Sequence, residues 1–174
     1  MIWQDLRNKA ACFYGRCRFR DVLRVSITDG TSAVLLFRCA KFLQRIRLGP
    51  LAIIVLHVNK ILNGCVIGRG AEFGAGFVLV HPVGVVIHGA VRGGRNVVLD
   101  SSVVIGAARN GFPVEVPVIG DDIYIGAGAK VLGGITIGSR VTIGANAVVL
   151  KSIPDGATAV GVPARIVDPK RARR

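Results

Sequence analysis

A chain of 174 residues with 51% apolar types, only 6% aromatics and 23 glycines suits one domain with an aliphatic core, which excludes disorder as its main state and, without a three-residue glycine period, collagen. Lys and Arg total 23 against 10 Asp and Glu, a net charge of +13, yet neither stacking aromatics nor a reading motif accompanies the charge, so no nucleic-acid partner is expected. No uncharged apolar run reaches the roughly 18 residues of a membrane span.

Charge is concentrated at the ends: residues 1–60 carry +8, residues 61–164 carry +1 and residues 165–174 carry +4. The first residues show no apolar stretch followed by a small-residue cleavage site, and Cys12, Cys17, Cys39 and Cys65 match neither a zinc spacing nor a disulfide framework. Free thiols and a cytoplasmic location are the expectation. Residues 31–48 predict an amphipathic helix with Leu35, Cys39, Phe42, Leu43 and Ile46 on one face and Arg38, Lys41 and Arg45 on the other. Gly49 and Pro50 break it, and Leu51 to Leu62 predict a second helix that caps the exposed edge of whatever follows. The apolar face is expected to pack. The basic face is expected in solvent, with peripheral contact to an anionic surface at the inner side of the membrane as the other use for it. Residues 1–64 thus form an N-terminal helical segment.

From Ile67 an aliphatic residue returns every six positions: Ile67, Phe73 and Leu79, then, after a slip of two residues, Ile87, Gly93, Leu99 and Ile105, and later Ile119, Ile125, Val131, Ile137, Ile143 and Val149. A helix needs a period near 3.6 and does not tolerate a Gly after almost every anchor, at about 1 kcal/mol each. A sandwich of hairpins would not keep a strict six. The repeat predicts a solenoid of very short parallel strands in which the first and fifth residues of each hexad point inward, three hexads closing one triangular turn. Residues 65–167 form this domain. A stretch over 106–118, with Pro113 and Pro117, loses the beat and is expected to protrude as a loop; residues 168–174 are a basic tail.

The chain has three histidines, His57, His81 and His88. His57 falls in the helical stretch and reads as structural. His81 sits in L-V-H-P-V-G, where the repeat slips, and breaks in a consistent pattern concentrate at functional sites.

The hexads, H-P-V-G-V-V-I-H, I-Y-I-G-A-G-A-K-V-L-G-G-I-T-I-G, A-N-A-V-V-L-K-S-I-P and G-V-P-A-R together resemble the hexapeptide-repeat acyltransferases of the serine O-acetyltransferase type, closest in pattern to the related acetyltransferases of exopolysaccharide clusters, including the colanic acid type. The resemblance implies a mainly β fold, a left-handed parallel β-helix, behind the helical segment. It implies acetyl-CoA as co-substrate without a metal, a homotrimer with sites between protomers, and His81 as general base for a substrate hydroxyl. An imidazole suits that role because its ordinary pKa lies near working pH. By position, Gly106, Ala127 and Ala145 would let the backbone approach the pantetheine arm, and Lys151 and Arg165 would meet the CoA phosphates. Where the serine enzymes carry an aspartate before the base, another one turn earlier that orients its ring and a second histidine in the loop, this chain has Val80, Val66 and Val116.

Three polar groups are thus missing on the acceptor side, where a zwitterion needs charged partners. The expected reaction is therefore acetylation of a sugar hydroxyl in polysaccharide biosynthesis, with Asp100, Arg109, Asn110 and Glu115 as candidate acceptor contacts; the alternatives are serine O-acetylation and a catalytically silent solenoid scaffold. A zinc hydratase of the same architecture would need three converging histidines.

Overall fold

The computed structural model describes residues 1–108 and 114–167. Four helices come first: α1 (Ile2–Tyr14), α2 (Phe19–Val25), α3 (Thr31–Arg45) and α4 (Gly49–Asn63). α4 starts with Pro50 in its first turn, where the missing N–H is no loss. α3 and α4 are the two helices that the sequence predicts; α1 and α2 are further elements within the helical segment.

From Val66 the chain winds through three sheets in rotation. The first holds β1 (Val66–Ile67), β4 (Val86–Ile87), β7 (Val104–Gly106), β10 (Lys130–Leu132) and β13 (Val148–Val149). The second holds β2 (Glu72–Phe73), β5 (Arg92–Gly93), β8 (Val118–Ile119) and β11 (Thr136–Ile137). The third holds β3 (Val78–Leu79), β6 (Val97–Leu99), β9 (Ile123–Ile125), β12 (Thr142–Ile143), β14 (Thr158–Val160) and β15 (Arg165–Val167). Neighbours pair in parallel, as in β4 with β7, where Ile87 lies opposite Ile105, except that β15 runs antiparallel to β14.

The inward positions are the first and fifth of each hexad. Ile67, Ile87, Ile105, Val131 and Val149 stack in one ladder, and Leu79, Leu99, Ile125, Ile143 and Ala159 in another, all buried. Between them Ala71, Phe77, Val91, Val97, Val103, Ala129, Val141 and Ala147 are buried as well. A core built from such ladders has no lateral thickness to spare, which is why residues with small or branched side chains recur. At the base, Gly93 leaves the space that the Phe73 ring occupies: a Cβ there would lie 2.3 Å from Phe73 Cδ1. Phe73 stacks on Phe77 at 4.2 Å, and Phe37 of α3 meets both edge-on. α3 thus plugs the open end of the prism, a capping role that the sequence assigns to the second helix, α4, and that falls to α3 because Phe37 lies on it.

The helix packs with the opposite face from the one that its apolar stripe predicts. Ala33, Val34, Phe37, Arg38 and Ala40 are buried, while Leu35, Cys39, Phe42 and Ile46 are exposed. The reason is an ion pair that the local pattern does not contain. Arg38 meets Asp5 of α1 through Nε at 2.9 Å and donates from its two other nitrogens to the carbonyls of Phe73 and Gly74. Asp5 in turn accepts the N–H groups of Gly76 and Phe77. Every polar atom in this cluster is satisfied, which a buried charge requires. Of the basic face proposed for a membrane surface, Arg38 is therefore inside and Lys41 pairs with Glu72 at 3.7 Å. Among the described residues no helix is long and apolar enough to cross a membrane.

Candidate functional site

The prism has three long edges, and the candidate residues fall on two of them. Where the third sheet turns into the first, four residues link the strands in the later turns: Asp100 to Val103, Gly126 to Ala129 and Gly144 to Ala147. In the first turn the link has six, Val80 to Val85. The corners stack by backbone hydrogen bonds, Ser102 N–H to Val83 O, Gly128 N–H to Ser101 O and Asn146 N–H to Ala127 O, so the two surplus residues have no ladder partner to occupy and bow outward. This is the slip in the repeat, and it carries His81. The ring is 55% exposed, outside the packed interior. The extra length is pinned by Gly84 N–H to Gly64 O and Val85 N–H to Pro82 O.

Along the same edge above His81 lie Asp100, one turn up, then Ala127 and Ala145, and at the top Arg165, opposite Val160 in the β14–β15 pair. Asp100 accepts the Ser101 N–H at 2.7 Å and faces the Tyr124 hydroxyl at 3.5 Å. Burial, with the Asp100 carboxylate adding to it, raises the Tyr124 phenol above its ordinary value.

Gly106, Lys151 and Glu115 lie on a different edge, where the first sheet turns into the second. Gly106 closes β7 directly over His88, a Cβ on it falling 3.5 Å from the His88 Cβ, and Glu115 lies against Gly134 on that edge. Lys151 is exposed in the link from β13 to Ile153. The loop expected over 106–118 leaves from this edge between β7 and β8; Arg109 and Asn110 lie outside the described residues. A single chain therefore brings His81, Asp100, Ala127, Ala145 and Arg165 to one edge and does not bring Gly106, Lys151 or Glu115 to them.

Of the three valines, Val66 is exposed on the outer face of β1, Val80 is half-buried beside His81, and Val116 packs against the core. His57 is on α4, its Nδ1 2.9 Å from the Ile53 carbonyl oxygen, and His88 accepts the Ala90 N–H on the loop edge. The three histidines do not converge, and among the described residues no three His, Cys, Asp or Glu side chains gather as a metal would need.

An open cavity of about 440 Å³ lies beside His81, between the α2–α3 connection, the end of α4 and the six-residue link; Thr28, Asp29, Ser32, Asn63 and Pro82 line it. Asp29 Oδ2 is 3.5 Å from His81 Nδ1. The sequence offers no sign of this approach, because Asp29-Gly30 reads only as a turn before α3, and 52 positions separate it from His81. A larger hollow of about 870 Å³, lined by Trp3, Phe42, Glu72 and Arg92, lies over the second sheet and contains none of the candidate residues.

A parallel prism with a hexad core is the architecture of the hexapeptide-repeat transferases, and residues 117–151 match the family model for bacterial transferase hexapeptide, six repeats. The serine acetyltransferase of Helicobacter pylori J99 is 37% identical over 142 residues, 82% of this chain and 83% of that protein. Among solved structures, soybean serine acetyltransferase complexed with serine gives a TM-score of 0.81 at 32% identity over 93% of this chain and 67% of that one. A serine acetyltransferase in complex with CoA gives 0.78 at 29% over 94% and 68%. The chain belongs to the serine acetyltransferase family, and its fold is the left-handed parallel β-helix with a helical N-terminal segment. It spans only 57% and 54% of the length of two other curated relatives, from Synechococcus elongatus and Staphylococcus xylosus. These relatives bear the serine acetyltransferase name, which corrects the closer resemblance to exopolysaccharide enzymes expected from the sequence.

Proposed function

We propose that the chain transfers the acetyl group of acetyl-CoA to a hydroxyl group, with L-serine as acceptor, and that it does so as a cytoplasmic homotrimer. The observation that carries this reading is the lengthened corner: in a chain of this family, the one place where the ladder is interrupted by two residues presents an imidazole to solvent. His81 takes the proton of the hydroxyl as its oxygen attacks the thioester carbonyl. The tetrahedral adduct collapses with cleavage of the C–S bond, and the departing thiolate receives the proton from the imidazolium. No covalent acyl-enzyme is needed, in keeping with the absence of a Ser or Cys nucleophile in the link from Val80 to Val85.

Ala127 and Ala145, small residues on the His81 edge, would leave the backbone open to the pantetheine arm, with Arg165 as the cation for its phosphates. Gly106, Lys151 and Glu115 would reach the same donor and acceptor if a neighbouring copy set their edge against this one; Arg109 and Asn110 remain candidate acceptor contacts. Asp100 is the acceptor contact that His81's own edge supplies.

A second acceptor is favoured by Val80 and Val116. These leave an amino acid without the carboxylate and the imidazole that its charges would use, whereas a neutral sugar hydroxyl makes no such demand. Thiol release from acetyl-CoA, followed with L-serine and with a panel of sugars and nucleotide sugars, separates the two. Stimulation by serine supports the first reading; stimulation by a sugar alone replaces it with the second. His81→Ala should lower turnover by about 100-fold or more. Equal, acceptor-independent rates in both proteins would leave a scaffold.

A further inference from the structure

We propose that Asp29 is the positioning residue of His81: a carboxylate delivered by the helical segment accepts the Nδ1–H of the ring and leaves Nε2 as the base. The inference rests on the reading of His81 given above. Asp29 Oδ2 faces His81 Nδ1 at 3.5 Å, and among the described residues His81 has no other side-chain hydrogen bond or ion pair. Which nitrogen of a neutral imidazole carries the proton is set by the partner of the other one. A carboxylate at Nδ1 fixes the tautomer in which Nε2 has a free lone pair. At 3.5 Å the contact is longer than a charge-assisted bond of about 2.7–2.9 Å, and contacts of this kind tighten when substrate closes the site.

The connection that carries Asp29 is anchored far more firmly than an exposed turn requires. Gly30, in left-handed conformation at φ 76°, sits against β3, where a Cβ would fall 2.1 Å from the Leu79 carbonyl oxygen. Leu79 is two residues before His81, so Asp29 and His81 leave the same backbone contact from its two sides. Lys9 of α1 is buried to do the rest. Its ammonium donates to the Asp29 carbonyl oxygen and, at 3.0 Å, to Thr31 Oγ1, whose hydroxyl donates to Val25 O at 2.6 Å. Burying a lysine for a turn is costly, and here it fixes the backbone of the residue that faces the base. The aspartate that the family places one turn before its histidine has become Val66, on the outer face of β1. The carboxylate comes instead from the helical segment.

Asp29 is 78% exposed, so a substitution leaves the fold intact and reads function directly. In the full chain, Asp29→Ala should lower kcat about tenfold while KM for acetyl-CoA and for the acceptor stays within about twofold. Asp29→Glu should recover most of the loss. In ¹⁵N-labelled protein, with the His81 ring assigned by its disappearance in His81→Ala, the neutral ring should carry its proton on Nδ1 in the wild type and lose that preference in Asp29→Ala. An unchanged tautomer in Asp29→Ala overturns the inference. So does a raised acceptor KM at constant kcat, which would make Asp29 a binding group for the acceptor. If the wild type acetylates nothing, the enzymatic reading fails by itself, and the ring spectra still decide whether Asp29 holds the imidazole.

Discussion

At the scale of single residues, the charges that matter are those that the helical segment buries. Asp5 and Arg38 are 4% and 8% exposed, and removing either leaves the other uncompensated. Asp5→Ala should cost about 3–5 kcal/mol in urea unfolding, because Arg38 loses its counter-ion and Gly76 and Phe77 lose their acceptor. Lys9 gives a pH signature. Burial, opposed by Asp29, brings its ammonium down to about 8 from the ordinary 10.5. Between these values the unfolded chain binds the proton that the folded chain has released, so the contribution of this group rises with pH through the window and is lost as pH falls through about 8. Cys65 acts with the opposite sign. Burial pushes its thiol up to about 11 from 9.0, so its contribution is complete below about 9 and is lost as pH rises through about 11. Comparing unfolding midpoints at about pH 7.5 and pH 9.5 should show Lys9→Met lacking part of the relative gain that the wild type has. Neither Arg38 nor Asp29 was legible in the sequence. Periodicity ranks faces by local hydropathy, and the partners of both residues lie tens of positions away.

At the scale of elements, the hexad repeat made the prism readable down to the inward positions, because each strand is fixed by its own six residues and by identical neighbours above and below. The slip at His81 was legible for the same reason: a lattice shows its defects. The face by which α3 packs was not, since the first turn of the prism offers the carbonyls of Phe73 and Gly74 and the stacked rings of Phe73 and Phe77, which a helical wheel does not contain. Two changes test these elements. Deleting Pro82 and Val83 restores the four-residue corner; the strands should still pair, with an unaltered far-ultraviolet spectrum, while acetyl transfer falls by at least about 100-fold. Gly30→Ala puts a side chain on a left-handed residue pressed against Leu79, and should cost roughly 1–3 kcal/mol of stability. It should reduce kcat as well, through the displaced Asp29.

At the scale of the whole molecule, the separation of the candidates onto two edges makes a quantitative demand on the proposed trimer. If each site takes His81 from one copy and Gly106 from the next, His81→Ala and Gly106→Trp are each inactive alone. Equal amounts unfolded and reassembled together should regain about a quarter of the wild-type activity, because one interface in four then joins an intact edge to an intact edge. No recovery would place the complete site within one chain. The two ends of the prism are also unlike each other. A stack of parallel strands is a template that a second molecule is free to extend, and solenoids left uncovered polymerise end to end. Here Phe37 seals one end, and the reversal of β15 at the other presents a strand of the wrong polarity for an incoming turn. On the third sheet an incoming turn therefore meets an antiparallel strand, whereas lateral association through the long edges, as in the proposed trimer, needs no open strand at either end.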